Sequence, residues 1–295
     1  MKILVTGAYG QLGSEILRIC ATFPALDIIA SDVDTLDITD SRAVEKFIAA
    51  NRPGYLINCA AYTAVDKAED DLARATLLNS VAPGIVASAC SKAGIKLIHI
   101  STDYVFDGQG NMPYKEDDPV NPLGVYGKTK YEGEINCLQN NPETVIIRTS
   151  WLYSSFGTNF VKTMIRLGKE KDTLNVVSDQ VGSPTYARDL ALAILTIVNN
   201  SLTSEPAFVP GVYHYSNEGV CSWYDLAVAI HKIAGIQCVV TPVSSENFIT
   251  RAKRPHFSVL DKSKIKAVFH PEIPFWQDSL KDCISILIKE QINGK

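Results

Sequence analysis

The chain has 295 residues, of which 46% are hydrophobic and 20% charged, so its composition excludes a disordered or fibrous protein and allows a sizeable core. With 28 basic against 32 acidic residues, the net charge of −4 gives no overall attraction for nucleic acid or an anionic membrane. Any site for an anion must therefore be built from a local cluster of charge.

The seven cysteines are scattered, odd in number, and form neither a CxxC pair nor a set with histidine at zinc-ligand spacing. This pattern predicts reduced thiols rather than disulfides. No segment approaches the roughly 18 uninterrupted apolar residues of a membrane span, and Met1 and Lys2 lead directly into an apolar run without a cationic leader. We expect a cytoplasmic protein with no membrane or nucleic-acid partner.

Strands and helices alternate in the first half of the chain. Short runs rich in Ile, Leu and Val predict strands at residues 2–7, 27–32, 55–60, 96–101 and 144–150. Amphipathic segments predict helices at residues 10–22, 41–51, 74–93 and 126–139. Such a βαβ series indicates an α/β fold with a Rossmann-type, doubly wound parallel sheet.

The alternation becomes looser after residue 151. Here the patterns predict helices at residues 157–171, 187–198 and 222–235, and strands at residues 173–180 and 212–216. We expect a dinucleotide-binding Rossmann domain over residues 1–150, with residues from about 185 to about 216 packing back on it. A smaller C-terminal substrate-binding domain would comprise residues from about 151 to about 184 and from about 217 to 295.

A glycine-rich turn follows the first strand, where "VTGAYGQLGSEI" spaces Gly7, Gly10 and Gly13 three apart. Glycine lets the backbone approach a pyrophosphate, and the helix that follows supplies free N–H groups and a favourable dipole. A tight turn without a ligand is the alternative, but the strand before and the helix after favour a dinucleotide site. Gln11 and Leu12, within the turn, belong to the predicted cofactor site.

Acidic and small residues follow the next two strands. Asp32 ends the second strand, about 20 residues after the glycine turn, where a carboxylate commonly accepts hydrogen bonds from the adenosine ribose. It favours NADH, because only Arg42 is nearby to hold a 2′-phosphate. Asp37 either approaches the adenine or caps the next helix. Ala60 and Ala61 would let a cofactor lie close to the sheet edge, although close packing explains them nearly as well.

In "VYGKTKYEGE", Tyr126 and Lys130 lie four apart on one face of a helix. Tyrosine can donate a proton to a carbonyl oxygen as hydride reaches the carbon, and a nearby ammonium lowers its pKa. Alone, the pair reads as an ordinary surface pair. Ser101 and Thr102, however, follow the fourth strand at the sheet edge where doubly wound folds bind ligands. A hydroxyl there can hold a substrate oxygen or cap a turn.

Together these segments resemble the extended short-chain dehydrogenase/reductase superfamily and, within it, the dTDP-4-dehydrorhamnose reductase family. The resemblance covers nearly the whole chain and rests on "TGAYGQLG", "NCAAYTAVDKAE", "STDYVFDG", "YGKTKYEGE", "SDQVGSPTYARDLA" and "RPHFSVLD". It implies that Tyr126 donates the proton, that Lys130 lowers its pKa and binds the nicotinamide ribose, and that Thr102 binds the reacting oxygen. The implied reaction is reduction of the C4 ketone of dTDP-4-dehydro-β-L-rhamnose to dTDP-L-rhamnose, a precursor of bacterial surface polysaccharides, with NADPH or NADH.

The same resemblance implies further substrate-binding residues. Trp151 would shape the sugar site, although a core tryptophan is a serious alternative. Asn159 lies in a segment that approaches the nucleotide-sugar in similar enzymes. Arg254, in a cluster with Arg251 and Lys253, would hold the diphosphate unless the cluster is only a solvated run of charge.

Some members of the family bind Mg²⁺ at a dimer contact through several acidic side chains. Glu15 is present here, but Arg188 lies about where a second acidic ligand is expected. A guanidinium cannot replace a carboxylate as a ligand, so we expect no metal site. The oligomeric state stays open between a monomer and a homodimer.

Two alternative functions remain open on the sequence. Asp103 directly follows the strand-end threonine, as an acidic residue does in nucleotide-sugar dehydratases, so another epimerase, dehydratase or reductase of the same fold is one alternative. The other is a non-catalytic subunit similar to the regulatory subunit of methionine adenosyltransferase.

Overall fold

The computed structural model describes residues 1–203, 208–248 and 250–293. Residues 204–207, within the segment predicted to pack back, and residues 249 and 294–295, within the predicted second domain, lie outside the described residues. The strands are β1 (Lys2–Thr6), β2 (Asp27–Ser31), β3 (Tyr55–Asn58), β4 (Lys96–Thr102), β5 (Thr144–Thr149), β6 (Leu152–Tyr153), β7 (Thr173–Val177), β8 (Val181–Gly182), β9 (Thr185–Tyr186), β10 (Gly211–Tyr215), β11 (Cys221–Ser222) and β12 (Val239–Val243).

The α-helices are α1 (Gln11–Ile19), α2 (Ser41–Asn51), α3 (Val65–Ala68), α4 (Leu72–Thr76), α5 (Ala82–Ala93), α6 (Val125–Asn140), α7 (Phe160–Glu170), α8 (Ala187–Asn200), α9 (Trp223–Ala234), α10 (Ser263–Phe269) and α11 (Trp276–Asn293). Short 3₁₀ turns cover Cys20–Thr22, Asp103–Val105 and Ser245–Asn247. No helix within these described ranges is long and apolar enough to cross a membrane.

Six parallel strands form the central sheet, in the order β2-β1-β3-β4-β5-β10. The chain enters in the middle of the sheet, so its direction of winding reverses beside β1. This reversal leaves a crevice at the carboxyl ends of β1 and β3, where ligands bind in folds of this kind. The predicted α/β fold with a doubly wound sheet is confirmed, and the predicted strand at 212–216 is β10, at one edge.

Helices cover both faces of the sheet, which explains the continuous apolar runs of the strands. Ile3 and Val5 pack in one hydrophobic cluster with side chains of α1 and α8. Leu4, between them in sequence, points to the opposite face and packs in a second cluster with side chains of α2 and α5. Alternate residues of each central strand are thus buried on opposite sides.

A third hydrophobic cluster lies apart from the sheet. It contains side chains of α7, α9 and α11, among them Val161, Leu226 and Leu280, together with Leu174 of β7. Strands β7 and β12 pair in a separate two-stranded parallel sheet. Trp151 and Phe160, which follow β5 in the chain, pack against this third cluster.

The helix predicted over residues 74–93 is interrupted by a π-helical turn, Leu77–Val81, between α4 and α5. Pro83 has no N–H to donate to the carbonyl of Asn79, four residues earlier, which frees that carbonyl from the regular ladder. Within this turn, the side-chain amide of Asn79 forms hydrogen bonds with the backbone of Tyr62 and with the hydroxyl of Thr129 on α6. The turn therefore helps to place α6 against the sheet.

Candidate active site

A cavity of about 1120 Å³ lies along the carboxyl ends of the central strands. Most residues predicted for the cofactor, the substrate and the chemistry line it. They are Gly7, Gly10, Gln11, Leu12, Asp32, Asp37, Ala60, Ala61, Thr102, Tyr126, Lys130, Trp151 and Asn159. Gly13 and Arg254 are not among the lining residues.

The glycine turn between β1 and α1 forms a cradle of bare backbone. Gly7 has a φ of +66°, and a Cβ there would lie 2.7 Å from the backbone nitrogen of Ala60. Gly10 is the N-cap of α1 and provides no side-chain cap, so the start of the helix stays open to the cavity. Gly13 lies behind the turn, where a Cβ would overlap the Gly7 carbonyl and Ala8. The cradle fits a dinucleotide pyrophosphate, and Gly13 allows the turn to pack closely.

Asp32 lies at the end of β2, at the rim of the cavity. One carboxylate oxygen accepts the Tyr9 N–H at 3.0 Å, and the other accepts the Val33 N–H at 2.8 Å. These bonds hold the carboxylate in place, and each oxygen keeps a lone pair for a ligand hydroxyl.

Asp37 does not cap the following helix. The N-cap of α2 is Asp40, whose side chain accepts from Arg42 and Ala43. Asp37 accepts hydrogen bonds from the backbone and hydroxyl of Thr39, which lower the pKa of its carboxyl. Of the two predicted roles, capping therefore falls to Asp40, while Asp37 lines the cavity.

Tyr126 lies on the first turn of α6 and faces the cavity. The carboxylate of Glu69, which directly follows α3, accepts the Val125 N–H at 2.9 Å and so holds the start of α6. The phenol of Tyr126 lies close enough to the hydroxyl of Thr102 for that group to affect its pKa. Burial raises the pKa of Tyr126 to about 12, the Thr102 hydroxyl lowers it, and the charge of Asp103 raises it further.

Lys130 is buried one turn further along α6. Its ammonium donates to the Ile100 carbonyl at 2.6 Å and lies 3.5 Å from Nε2 of His99. Burial lowers the pKa of Lys130 to about 8, although the charge of Glu134 raises it. Among the described residues, Thr102 and Asp103 are the groups that shift the pKa of Tyr126, so the effect of Lys130 on Tyr126 stays a prediction.

A buried polar chain that the sequence analysis missed leads to Lys130. Thr6 donates to Asn58 at 2.8 Å, and the Asn58 amide contacts Nδ1 of His99 at 3.1 Å. Burial, and then the charge of Lys130, lower the pKa of His99 well below its usual value, so its ring is neutral. The available signal was a polar residue next to the apolar run of each strand, with Thr6 and Asn58 at the ends of β1 and β3 and His99 within β4. This series of polar contacts crosses β1, β3 and β4 and ends at the ammonium of Lys130, which it helps to position.

A second buried network joins α6 to β5 beside the cavity. Arg148 forms a two-pronged ion pair with Glu134, with 2.7 Å between Nη2 and Oε2 and 3.0 Å between Nε and Oε1. Ser101 donates its hydroxyl to the same carboxylate. Ser101 therefore belongs to this network, whereas the Thr102 hydroxyl contacts Asp103 and the Tyr104 N–H at the cavity wall.

Trp151 lines the cavity and also packs against a second tryptophan. Its indole stacks on that of Trp223, with ring centroids 3.6 Å apart and planes 8° apart. The backbone of Trp151 has a φ of +48°, an uncommon conformation for a bulky residue that is typical of functional sites. Gly182 lies so close that a Cβ there would be 2.7 Å from the indole. The sequence offered no signal for Trp223.

The other two predicted substrate residues differ in position. Asn159 caps α7 and donates to the Gln11 side chain at 2.9 Å, which links the cavity wall to the glycine turn. Arg254 forms an ion pair with Asp66 at 2.6 Å, and Arg251 pairs with Asp70. Asp66 also accepts the Ala252 N–H at 3.0 Å. The basic cluster is therefore engaged with the acidic segment that contains α3, far away in sequence.

Glu15 lies in α1 and is fully buried. One carboxylate oxygen accepts from Ser154 at 2.5 Å, and the other lies 4.0 Å from Arg18. Burial raises the pKa of Glu15, while Ser154, Arg18 and Arg188 lower it. The residues that the structure describes contain no group of three or more His, Cys, Asp or Glu side chains placed to hold a metal ion. Guanidinium groups around a single carboxylate do not fit Mg²⁺.

Known proteins resemble this chain over nearly its whole length. The family described as the RmlD substrate binding domain matches residues 1–288. The spore coat polysaccharide biosynthesis protein SpsK of Bacillus subtilis is 41% identical over 282 residues, which are 95% of this chain and 96% of that protein.

Two solved structures are also similar. A dTDP-4-dehydrorhamnose reductase from Clostridium acetobutylicum has a TM-score of 0.92 and 45% identity, covering 98% of this chain and 100% of that one. The dTDP-4-dehydrorhamnose reductase of Bacillus anthracis, in complex with NADP, has a TM-score of 0.89 and 39% identity, covering 97% and 99%. These full-length matches show that the chain belongs to the RmlD family, the dTDP-4-dehydrorhamnose reductases.

Proposed function

We propose that the chain reduces the C4 ketone of dTDP-4-dehydro-β-L-rhamnose to dTDP-L-rhamnose with NADPH or NADH, the last step in making this sugar donor for surface polysaccharide. The observation that supports this most directly is that Thr102, Tyr126 and Lys130 line the same cavity as the glycine cradle. The cavity is thus suited to hold a dinucleotide and a second ligand side by side.

In this reaction the bound dihydronicotinamide supplies a hydride to the C4 carbon. Tyr126 donates its phenolic proton to the C4 oxygen, and Thr102 binds the same oxygen. A pKa of about 12 keeps Tyr126 protonated at neutral pH, as a proton donor requires. The ammonium of Lys130, fixed by the Ile100 carbonyl, stabilises the phenolate that remains. Trp151 and Asn159 line the part of the cavity that we assign to the sugar nucleotide.

The cofactor assignment rests on two features. The similar reductase of Bacillus anthracis was solved with NADP, which favours NADPH. Asp32 favours NADH, because its carboxylate can accept from ribose hydroxyls and repels a 2′-phosphate. We propose that both cofactors are used.

Replacing Asp32 with alanine should weaken NADH binding by about 10- to 100-fold and NADPH binding much less, because the loss of charge compensates for the phosphate. Dissociation constants for both cofactors, measured by nucleotide fluorescence, test this expectation. Asp34→Ala removes the same charge from the same rim and is the matched control. Equal losses for NADH and NADPH would remove Asp32 from the ribose.

The proposed function is tested by mixing the purified protein with enzymatically made dTDP-4-dehydrorhamnose. Nicotinamide absorbance is followed with NADH and NADPH in parallel, with and without EDTA. We expect oxidation of the cofactor and no effect of EDTA, since arginines surround Glu15. Tightly bound NAD that is recycled would indicate an epimerase or dehydratase. Absence of turnover together with co-purification of a synthetase would indicate a regulatory subunit.

We further propose the division into a Rossmann domain and a substrate-binding domain that the sequence predicts. The hydrophobic cluster of α7, α9 and α11, separate from those of the sheet, supports it. All seven cysteines are free, which supports a cytoplasmic location. Whether the enzyme is a monomer or a homodimer is decided by its mass in solution.

A further inference from the structure

Asp103 is a buried carboxyl group in the cavity wall that the mechanism above does not use. Its side chain is 1% exposed, and it directly follows Thr102 at the end of β4. Oδ1 lies 3.1 Å from the Thr102 hydroxyl. Oδ2 has no hydrogen-bond partner among the described residues, although the hydroxyl of Ser258 lies close enough to lower the pKa of the carboxyl. A buried, incompletely paired carboxylate is costly unless it holds a proton.

The hydrogen bonds around Thr102 depend on that proton. A hydroxyl donates once and accepts twice, and Thr102 already accepts the Tyr104 N–H at 3.2 Å. If Asp103 is ionised, the Thr102 proton bonds to Oδ1, and the remaining lone pair of Thr102 draws the proton of Tyr126. If Asp103 is neutral, its proton fills that lone pair, so Thr102 donates outward and the Tyr126 proton is free for the reacting oxygen.

We propose that Asp103 is a positioning residue that acts in its neutral form, directing the hydroxyl of Thr102 and the proton of Tyr126 toward the C4 oxygen of the nucleotide-sugar. The inference rests on the proposed function. The charge balance agrees with it, because an ionised Asp103 would oppose the phenolate that forms when Tyr126 gives up its proton. Burial is the main cause of the raised pKa of Tyr126, and the charge of an ionised Asp103 acts in the same direction.

The surroundings of Asp103 favour the neutral form at moderate pH. Burial raises the pKa of Asp103 to about 7, and Ser258 and Thr102 lower it. The titratable groups facing it are Tyr104 on its own turn and Tyr126 on α6, both neutral at this pH. Residues 252–259 also pack near Asp103, and the group of this segment that faces the carboxyl is the Ser258 hydroxyl. Arg254, in the same segment, is paired with Asp66.

The test measures the single-turnover rate of hydride transfer against pH. The wild-type rate should fall about tenfold per pH unit above about pH 7, as Asp103 loses its proton. In Asp103→Asn, whose amide donates to Thr102 at every pH, the fall should begin only near pH 8, where Lys130 titrates. Ser258→Ala should also move the fall to higher pH, because it removes a group that stabilises the carboxylate. Asp107→Asn, outside the cavity wall, is the control and should keep the wild-type profile.

A direct titration separates failure of this inference from failure of the proposed function. Carbon-13 NMR of aspartate-labelled protein, with Asp103→Asn to assign the signal, needs no substrate. We expect a carboxyl with a midpoint near pH 7, and a midpoint below about pH 5 overturns the inference even if the enzyme is active. If Asp103→Asn does not fold, Ser258→Ala provides the test. An unshifted carboxyl midpoint together with an unshifted rate profile in that variant would also overturn the inference. A midpoint near pH 7 in a protein without turnover would retain the neutral carboxyl and reject the reductase reaction.

Discussion

Replacing Tyr126 with phenylalanine should lower kcat by about 10²- to 10⁴-fold while changing dinucleotide affinity by less than about threefold. The variant keeps the ring in the cavity wall but has no proton to donate to the C4 oxygen. The edge-to-face contact with Tyr104, with centroids 5.5 Å apart, involves only the rings and so remains. Steady-state and single-turnover rates with NADPH, together with a cofactor titration, make the measurement.

Tyr131→Phe is the matched control for this experiment. Tyr131 lies on the same helix but packs against the hydrophobic cluster that contains Val105 and Phe106, and it does not line the cavity. Its loss of a hydroxyl should leave kcat within about twofold of the wild type. Full activity in the Tyr126 variant would assign the proton donor to another group, and Asp103, whose charge affects the pKa of Tyr126, would be the first candidate.

Arg148→Met should destabilise the protein by about 3 to 5 kcal/mol, because it removes the hydrogen-bonded cation of the buried Glu134 carboxylate and leaves only the charge of Lys130 nearby. The side chains of the pair are 3% and 2% exposed. Glu134 would retain the Ser101 hydroxyl as a partner, which cannot balance its charge. Urea unfolding gives the free energy of unfolding of the wild type and the variant, and their difference, at a common m-value, measures the loss.

The exposed pair of Arg166 and Glu170 provides the comparison, with side chains 60% and 52% exposed. Arg166→Met should cost no more than about 1 kcal/mol, since water screens such pairs. Adding Glu134→Gln to Arg148→Met should recover part of the loss by removing the buried charge. A loss no larger than that of Arg166→Met would show that Glu134 finds another partner or a proton.

Two buried hydrogen-bond networks support the part of the site where we propose that the chemistry takes place. The chain from Thr6 through Asn58 and His99 ends at Lys130, and the Glu134 network ends at Ser101, next to Thr102. Both networks begin on residues outside the cavity wall or deep in the sheet. The proposed proton donor and its neighbours are thus oriented by groups that a ligand does not touch.

By itself, the sequence determined the six strands of the central sheet with most of the helices between them, and the position of the glycine turn, Asp32, Thr102, Tyr126 and Lys130. Each of these depends on local pattern and on one rule of topology. Buried strands read as apolar runs, and the carboxyl ends of parallel strands share one edge, so residues just after each strand must meet there.

Only the tertiary structure decided which polar groups are paired and which are buried. The sequence leaves Arg254 between a diphosphate ligand and a solvated charge, and only the structure shows its ion pair with Asp66, more than 180 positions away. In the sequence, Asp103 is only the acidic residue that follows the strand-end threonine, and its burial depends on the approach of Ser258 and α6. Trp151 acquires its position by stacking on Trp223. Burial, hydrogen bonding and charge depend on every segment that surrounds a group, and a linear pattern contains no information on those distant neighbours.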